Sequence, residues 1–262
     1  IHMSSSDYYL SQLLQKQKPT PEQKNMIRNT SNHFIEIIRQ GTNESRIRFY
    51  FAGSYAKGTT LKDISDLNLV VCYPHITSKS LEGIYNKIRE ILQKEGFNHW
   101  AKSVALRCNL VDKKFGNYHY DIIPAKTINS NFYNVDLYNP RMNTPVRTSI
   151  RAHVEAVRNA RHRYTIKFLK LWRRRYDFTC PTFILEMLFL NYISANKPRE
   201  MHSLLKDIFK YITDNIATTV LIDPTNTQNI VSNQLSHDQK QQIQYYAQKA
   251  YDAKHWSNVF EK

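Results

Sequence analysis

"GSYAKGTTLKDISDLNLVV", residues 53–71, joins a small-residue pair, Gly53-Ser54, to a polar loop and then to an apolar run carrying Asp66 and Asn68. Leu67, Leu69, Val70 and Val71 are aliphatic over the length of a strand, so the stretch predicts a strand from Leu67 to Tyr73, entered through the loop. Side chains two apart on a strand leave on the same face, about 6.5 Å from each other along the chain. Two carboxylates so placed can converge on divalent ions about 3.5–4 Å apart, which activate an attacking hydroxyl and stabilise leaving pyrophosphate. The second position, however, is an amide. Gly53-Ser54 supplies a turn where N–H groups and a hydroxyl can meet phosphate oxygens, although such a pair is uninformative by itself.

A third carboxylate lies downstream. "YHYDIIP", residues 118–124, places Asp121 on a short strand ahead of Pro124. Mg²⁺ suits this chemistry because it takes few protein ligands and completes its octahedron with phosphate oxygens and water. Asp66, residue 68 and Asp121 are thus three polar positions of one candidate site.

Around this stretch the chain reads as mixed, then helical. Thr20-Pro21-Glu22-Gln23 is a helix start, with Thr20 as N-cap, Pro21 at the first helical position and Gln23 completing a capping box. Met26, Ile27, Thr30, Phe34, Ile37 and Ile38 follow helical spacing up to Gly41. Further strands are expected at Ile47–Ala52, Val104–Val111 and Tyr118–Ile123, with a helix around Ser80–Lys94. After about residue 146 the patterns are helical only: Arg147 to Arg175, Thr182 to Ser194, Glu200 to Ala217 and Ser236 to Ala253. Asp223-Pro224-Thr225-Asn226 is a turn between the last two. The expected fold class is α/β (α+β), a mixed-sheet core over residues 44–146 and a helical lobe formed by 1–43 and 147–262. A ligand is expected in the cleft between the lobes.

The chain has 262 residues, 41% hydrophobic and 23% charged, ample for a real core. No apolar run reaches about 18 residues, so no membrane span is expected. Cys72, Cys108 and Cys180 are scattered, with no CxxC pair, and read as buried thiols of a reducing cytoplasm. The histidines lack zinc-ligand spacing. Ile1-His2 looks like a cloning remnant before Met3, and a cytoplasmic monomer is expected. The 37 Lys+Arg against 22 Asp+Glu give a formal net charge of +15 and point to a polyanionic partner: nucleotides, RNA or DNA. The charge gathers in one stripe, with Arg147, Arg151, Arg158, Arg161, Arg163, Lys167, Lys170, Arg173, Arg174 and Arg175 against Glu155 alone. On a single helix Arg151 and Arg158 fall near one face and Arg163, Lys167 and Lys170 near another, with Val154, Val157, Ile166 and Leu169 buried. Arg151, Arg158 and Arg163 are the candidate nucleic-acid contacts.

These residues resemble a known family. Gly53-Ser54, residues 55–65 and then Asp66-Leu67-Asn68-Leu69 match the polymerase-β-like nucleotidyltransferase pattern (a small-residue pair, a short spacer, then Asp-x-Asp/Glu) in all but Asn68. "HYDIIPA" resembles that family's third-acid strand, "TIKFLKLWRRRYDFTCPTFILEMLFL" the helix-turn-helix after the core, and "LIDPTNTQNIV" its late Asp-Pro-x-Asn turn. The subset most resembled is the bacterial CD-NTases of the compact CdnE-like type, relatives of cGAS that make cyclic oligonucleotide signals in antiphage defence. CCA-adding enzymes and poly(A) polymerases share the core. The resemblance implies NTP substrates, with Gly53 and Ser54 holding the donor triphosphate, Asp66, residue 68 and Asp121 as catalytic metal ligands for two ions, Mg²⁺ or Mn²⁺, and Asp121 nearest the attacking hydroxyl. It also implies that Lys170 reaches the triphosphate and that Thr182 and Phe183 contact the nucleotide. Lys57 either touches phosphate or is an exposed loop lysine. Trp172 and Glu186 are read as core packing and helix pairing.

Asn68 then has three readings: an introduced Asp→Asn inactivation, a natural nucleotide- or RNA-binding protein without catalysis, or an amide tolerated through a shifted metal ligand. The first is preferred, because the rest of the site is intact and a decayed enzyme tends to lose several parts. The functional alternatives are a cyclic-oligonucleotide synthase, a template-independent RNA nucleotidyltransferase acting on an RNA 3′ end, and a binding protein. RNA or DNA enters as acceptor or activator.

Overall fold

The computed structural model describes residues 4–63, 66–196 and 200–261; the expectations placed on Ile1, His2 and Met3 lie outside them. The chain divides into two units, one of Pro19–Glu155 and one of Ile1–Lys18 with Ala156–Lys262.

The first of these is built on one mixed sheet. Its strands are β1 (Arg48–Ala52), β2 (Asp66–Tyr73), β3 (His99–Lys102), β4 (Ala105–Asp112), β5 (Gly116–Thr127), β6 (Val135–Asn139) and β7 (Thr144–Thr148). Their spatial order is β1-β2-β5-β4-β3, with β6 on β5 and β7 on β6. Only β2 and β5 run parallel, and the helix of residues 81–94 lies in the connection that a parallel pair requires. β2 sits between β1 and β5 with both faces covered, which is why it reads as a continuous apolar run rather than an alternation. Leu67, Leu69, Val71 and Tyr73 join one core with Ile84, Ile88 and Leu92. Val70 and Cys72 join a second with Ala125, Phe132, Val135 and Leu137. Asp66 and Asn68 share the parity of Val70 and Cys72, so this second face turns polar at the strand's beginning.

Sequence and structure agree on the helix after Thr20, here the second in the chain. The first, α1 (Ser5–Lys16), went unread; α2 (Pro21–Gly41) carries the reciprocal Thr20–Gln23 capping box. Its placement corrects the expected grouping of residues 1–43 with the helical lobe. Ile27, Phe34, Ile37 and Ile38 of α2 are buried in the sheet core, against Leu69 and Tyr120 among others. Only α1 belongs with the later helices: the Asp7 carboxylate accepts the His202 N–H at 2.8 Å. A hydrophobic stripe alone does not say which apolar face it will meet.

Unread too were α3 (Gly53–Lys57) and the strands β3, β6 and β7; the helix at 81–94, α4, matches its expectation. β7 corrects the expected run of Arg147 to Arg175 as one helix. Arg147 lies within β7, opposite Asp136 and ion-paired with it at 2.9 Å. Then α5 (Ile150–Arg158) and α6 (Tyr164–Tyr176) are separated by a turn in which His162 adopts φ +56°. Pro124, a poor residue for a central strand, lies where β5 has left β4 at Ile122 and meets β6 at Ala125.

The helical unit continues with α7 (Thr182–Ala195), α8 (Met201–Asn215), the hairpin of β8 (Ile222–Asp223) and β9 (Asn226–Ile230), α9 (His237–Asp252) and α10 (Ser257–Phe260). Asp223 organises the hairpin turn, accepting from the Thr225 N–H at 2.8 Å and from Asn229 Nδ2 at 3.2 Å. Trp172 is fully buried, with its ring 4.6 Å from that of Phe178 and 5.1 Å from that of Phe209, and it donates to the Tyr246 carbonyl. It is a core residue. Among the described residues no helix is long and apolar enough to cross a membrane.

Cys72, Cys108 and Cys180 are all buried and unpaired. Burial pushes each thiol up to about 12. At about pH 8 the thiolate is therefore scarce, and the native protein should leave a disulfide reagent such as DTNB almost unconsumed. All three thiols should appear at once in denaturant.

Candidate active site

The β2–β5 register brings the sequence-nominated acids together. Asn68 lies opposite Asp121, with Ala52 of β1 on its other side, and Asp66 lies opposite His119. Neighbouring side chains of one face in adjacent strands stand within about 5.5 Å Cβ to Cβ. Asp66, Asn68 and Asp121 thus form one polar cluster at the end of the second core face.

Gly53 is held against this cluster. Its φ of +62° lies in the left-handed region, and a Cβ built on it would stand 2.5 Å from Asn68 Nδ2. Conformation and proximity both demand glycine here. Ser54 follows in α3, and its Oγ accepts from Thr60 Oγ1 at 3.3 Å. Lys57 is buried at 8% exposure and makes contacts of its own, which corrects the picture of an exposed loop lysine.

Arg107 is the residue that sequence reasoning missed. On β4 it faces Asp121 directly. Its Nε donates to Asp121 Oδ1 at 2.7 Å, and its Nη2 donates both to Asp121 Oδ2 at 2.8 Å and to Asp66 Oδ1 at 2.9 Å. Lys102 of β3 adds a bond to Asp121 Oδ2 at 3.3 Å. The side chains of Arg107 and Asp121 are 11% and 5% exposed. Hydrogen bonding to Asp121 raises the Arg107 pKa further, against the opposing effect of burial. A forked guanidinium–carboxylate contact is the strongest form of ion pair. With both partners out of water, removing either one costs about 3–5 kcal/mol, because a buried charge is left alone. The signal was present in "ALRCNLV", an arginine amid apolar strand residues, which requires a buried acid.

This geometry decides what the cluster can hold. Both oxygens of Asp121 and one of Asp66 are taken by the guanidinium, and residue 68 is an amide. Among the described residues no three His, Cys, Asp or Glu side chains are placed to hold a metal ion. The residues present do not fit the two-ion set that the acid pattern suggested.

The remaining nominated residues lie in the helical unit. Lys170 is half-buried on α6, and Thr182 and Phe183 open α7 with partial exposure. Thr182 Oγ1 accepts from Arg173 Nη1 at 3.1 Å. Glu186 is buried at 2% exposure. The basic stripe is partly used within the fold. Arg147 pairs with Asp136, Arg151 stands 3.7 Å from Glu155, and Arg163 donates to the Arg158 carbonyl at 2.9 Å. Burial lowers the Lys167 pKa, with Lys18 and Arg163 adding to the effect.

No protein-family model and no curated protein sequence matches the chain. Solved structures do. Escherichia coli MS115-1 CdnC with ATP superposes with a TM-score of 0.73 at 17% identity, covering 95% of each chain. Vibrio cholerae DncV cyclic AMP-GMP synthase with nonhydrolyzable GTP gives 0.74 at 14% identity, over 97% of this chain and 93% of that one. The Cid1 poly(U) polymerase, as an H336N mutant bound to MgATP, gives 0.72 at 13%, over 98% of each. The chain therefore has the polymerase-β-like nucleotidyltransferase fold of the kind seen in CD-NTases.

Gly53→Ala should lose about 1–3 kcal/mol in urea unfolding from left-handed backbone strain, and more from the collision with Asn68. Gly96 separates the two effects, since it has φ +78° and nothing within 4 Å of a built Cβ. Gly96→Ala should show the strain alone.

Proposed function

We propose that this chain handles nucleoside triphosphates as a nucleotidyltransferase-fold protein, of the kind that builds cyclic di- or oligonucleotide signals in antiphage defence, and that residue 68 is where its chemistry has been silenced. The observation that carries this reading is the three-position cluster of Asp66, Asn68 and Asp121 beside Gly53. End-to-end likeness to CdnC and DncV supports the product class. An acid at 68 would restore the third carboxylate of the pattern. As the chain stands, Arg107 donates to both oxygens of Asp121.

The RNA-tailing alternative draws support from the likeness to Cid1 and from the net charge of +15. It loses support where Arg147, Arg151 and Arg163 already have partners inside the fold. The cyclic-product reading is therefore preferred.

Asn68→Asp, incubated with labelled NTPs and Mg²⁺ with and without RNA, tests both. Pyrophosphate release should rise by on the order of 10² or more, the usual effect of one charge-stabilising group, and label should enter a small phosphatase-resistant product. Label in RNA would favour tailing, whereas equal turnover by the two proteins would sink the acid-cluster reading.

Lys170, in the helical unit, is proposed to bind a phosphate of a nucleoside triphosphate. Lys170→Ala should weaken binding of a fluorescent NTP about tenfold or more, as expected for one charged hydrogen bond, with an unchanged melting temperature. Unchanged affinity would remove Lys170 from nucleotide binding, and a large fall in melting temperature would make it structural.

A further inference from the structure

We propose that Arg107 is the resident cation of the acid cluster: it takes the place of a divalent ion between Asp66 and Asp121 and offers its outer nitrogen to a phosphate of a nucleoside triphosphate, so that triphosphate binding by this chain needs no divalent metal. The inference rests on the reading of this cluster as a triphosphate site.

The donor inventory comes first. A guanidinium has five N–H donors in a rigid fork. Nε and Nη2 are committed to Asp66 and Asp121. Nη1 keeps its donors, with no protein acceptor among the described residues. Those two donors diverge in the guanidinium plane, so each can meet a separate phosphate oxygen.

Charge gives a second, independent argument. Two carboxylates, Asp66 and Asp121, face one guanidinium and one ammonium, Arg107 and Lys102, and Asn68 contributes no charge. The cluster is neutral overall. A divalent ion entering it gains no net attraction and meets two fixed cations, one of them covalently tethered and never deprotonated. A triphosphate meets the same zero net charge, but its oxygens can accept from the remaining Arg107 donors and from Lys102, contacts that a metal ion cannot make. Lys102 is 46% exposed and Asp66 43%, so part of the cluster is open to solvent. With an acid at 68 the cluster would carry net negative charge, and Arg107 would compete with a metal for the same oxygens. In this chain that competition is already decided.

Two measurements test the proposal: Mn²⁺ uptake followed by electron paramagnetic resonance, and titration with a fluorescent ATP in EDTA and in Mg²⁺. The chain should take up no Mn²⁺ at millimolar concentration, and its ATP affinity should differ by less than about threefold between the two buffers, well under the factor of ten that 1.4 kcal/mol represents. Arg107→Met keeps the aliphatic stem and drops the charge. It should admit Mn²⁺ and lose about tenfold or more in ATP affinity in EDTA, the loss expected for a charge-assisted bond. Because that variant strands the buried Asp121, Arg107→Lys is the second arm. It should still exclude Mn²⁺ and lose affinity through the missing fork, with a melt that reports folding. Mn²⁺ bound by the unaltered chain, or ATP binding abolished by EDTA, overturns the proposal. If ATP binds in neither buffer, the triphosphate reading fails, and Mn²⁺ exclusion by Arg107 is still decided by the first measurement.

Discussion

The parallel ladder between β2 and β5, in register from Asp66 opposite His119 to Tyr73 opposite Lys126, carries both the sheet core and the candidate site. A slip of one residue would turn every β2 side chain to the other face. Leu69 and Val71 would leave the core they share with α2 and α4, and Asn68 would leave Asp121. The apolar residues therefore hold the register that the polar ones need. Burial of Leu67, Leu69, Val70 and Val71 provides the driving force, at about 1.5–3 kcal/mol for each fully buried aliphatic side chain.

Where that ladder ends, the physics changes. Asp121 is almost fully buried, and an isolated carboxylate there would be costly. Arg107 removes the cost by supplying two parallel bonds from the facing strand. Such a pair adds little net stability compared with an apolar pair of the same shape, because both charges gave up water. What it does contribute is arrangement. It keeps Asp66 and Asp121 tied to one planar cation, with the amide of Asn68 packed over Gly53. With an amide at 68, Arg107 and Lys102 together balance the two carboxylates, Asp66 and Asp121.

Much of the positive charge is also less available than its density along the chain suggests. Arg147, Arg151 and Arg173 are engaged with Asp136, Glu155 and the Cys180 carbonyl. The turn at residues 159–163 divides what would have been a continuous track. A run of basic residues becomes a surface for polyanions only where the fold leaves those side chains without internal work.

The strand through Asp66 and Asn68, the capped start of α2 and the strand bearing Asp121 were legible because they rest on local physics: period-two burial, a side-chain cap and a run of aliphatic residues. The candidate acids were legible for the same reason, being two apart on one strand and ahead of a proline on another. The unread elements depend on partners distant in the chain. β6 and β7 are short, five residues each, and exist through pairing with β5 and with each other. α1 and α2 have similar stripes yet belong to different units, because Asp7 meets the start of α8 while Phe34 stacks on Tyr120. The sequence by itself determined the sheet-forming runs, the helix caps and the acid pattern with its amide. Only the tertiary structure decided that Arg107 spans Asp66 and Asp121, because a side chain 41 positions away from Asp66 reaches it through strand order and register, which no local pattern encodes.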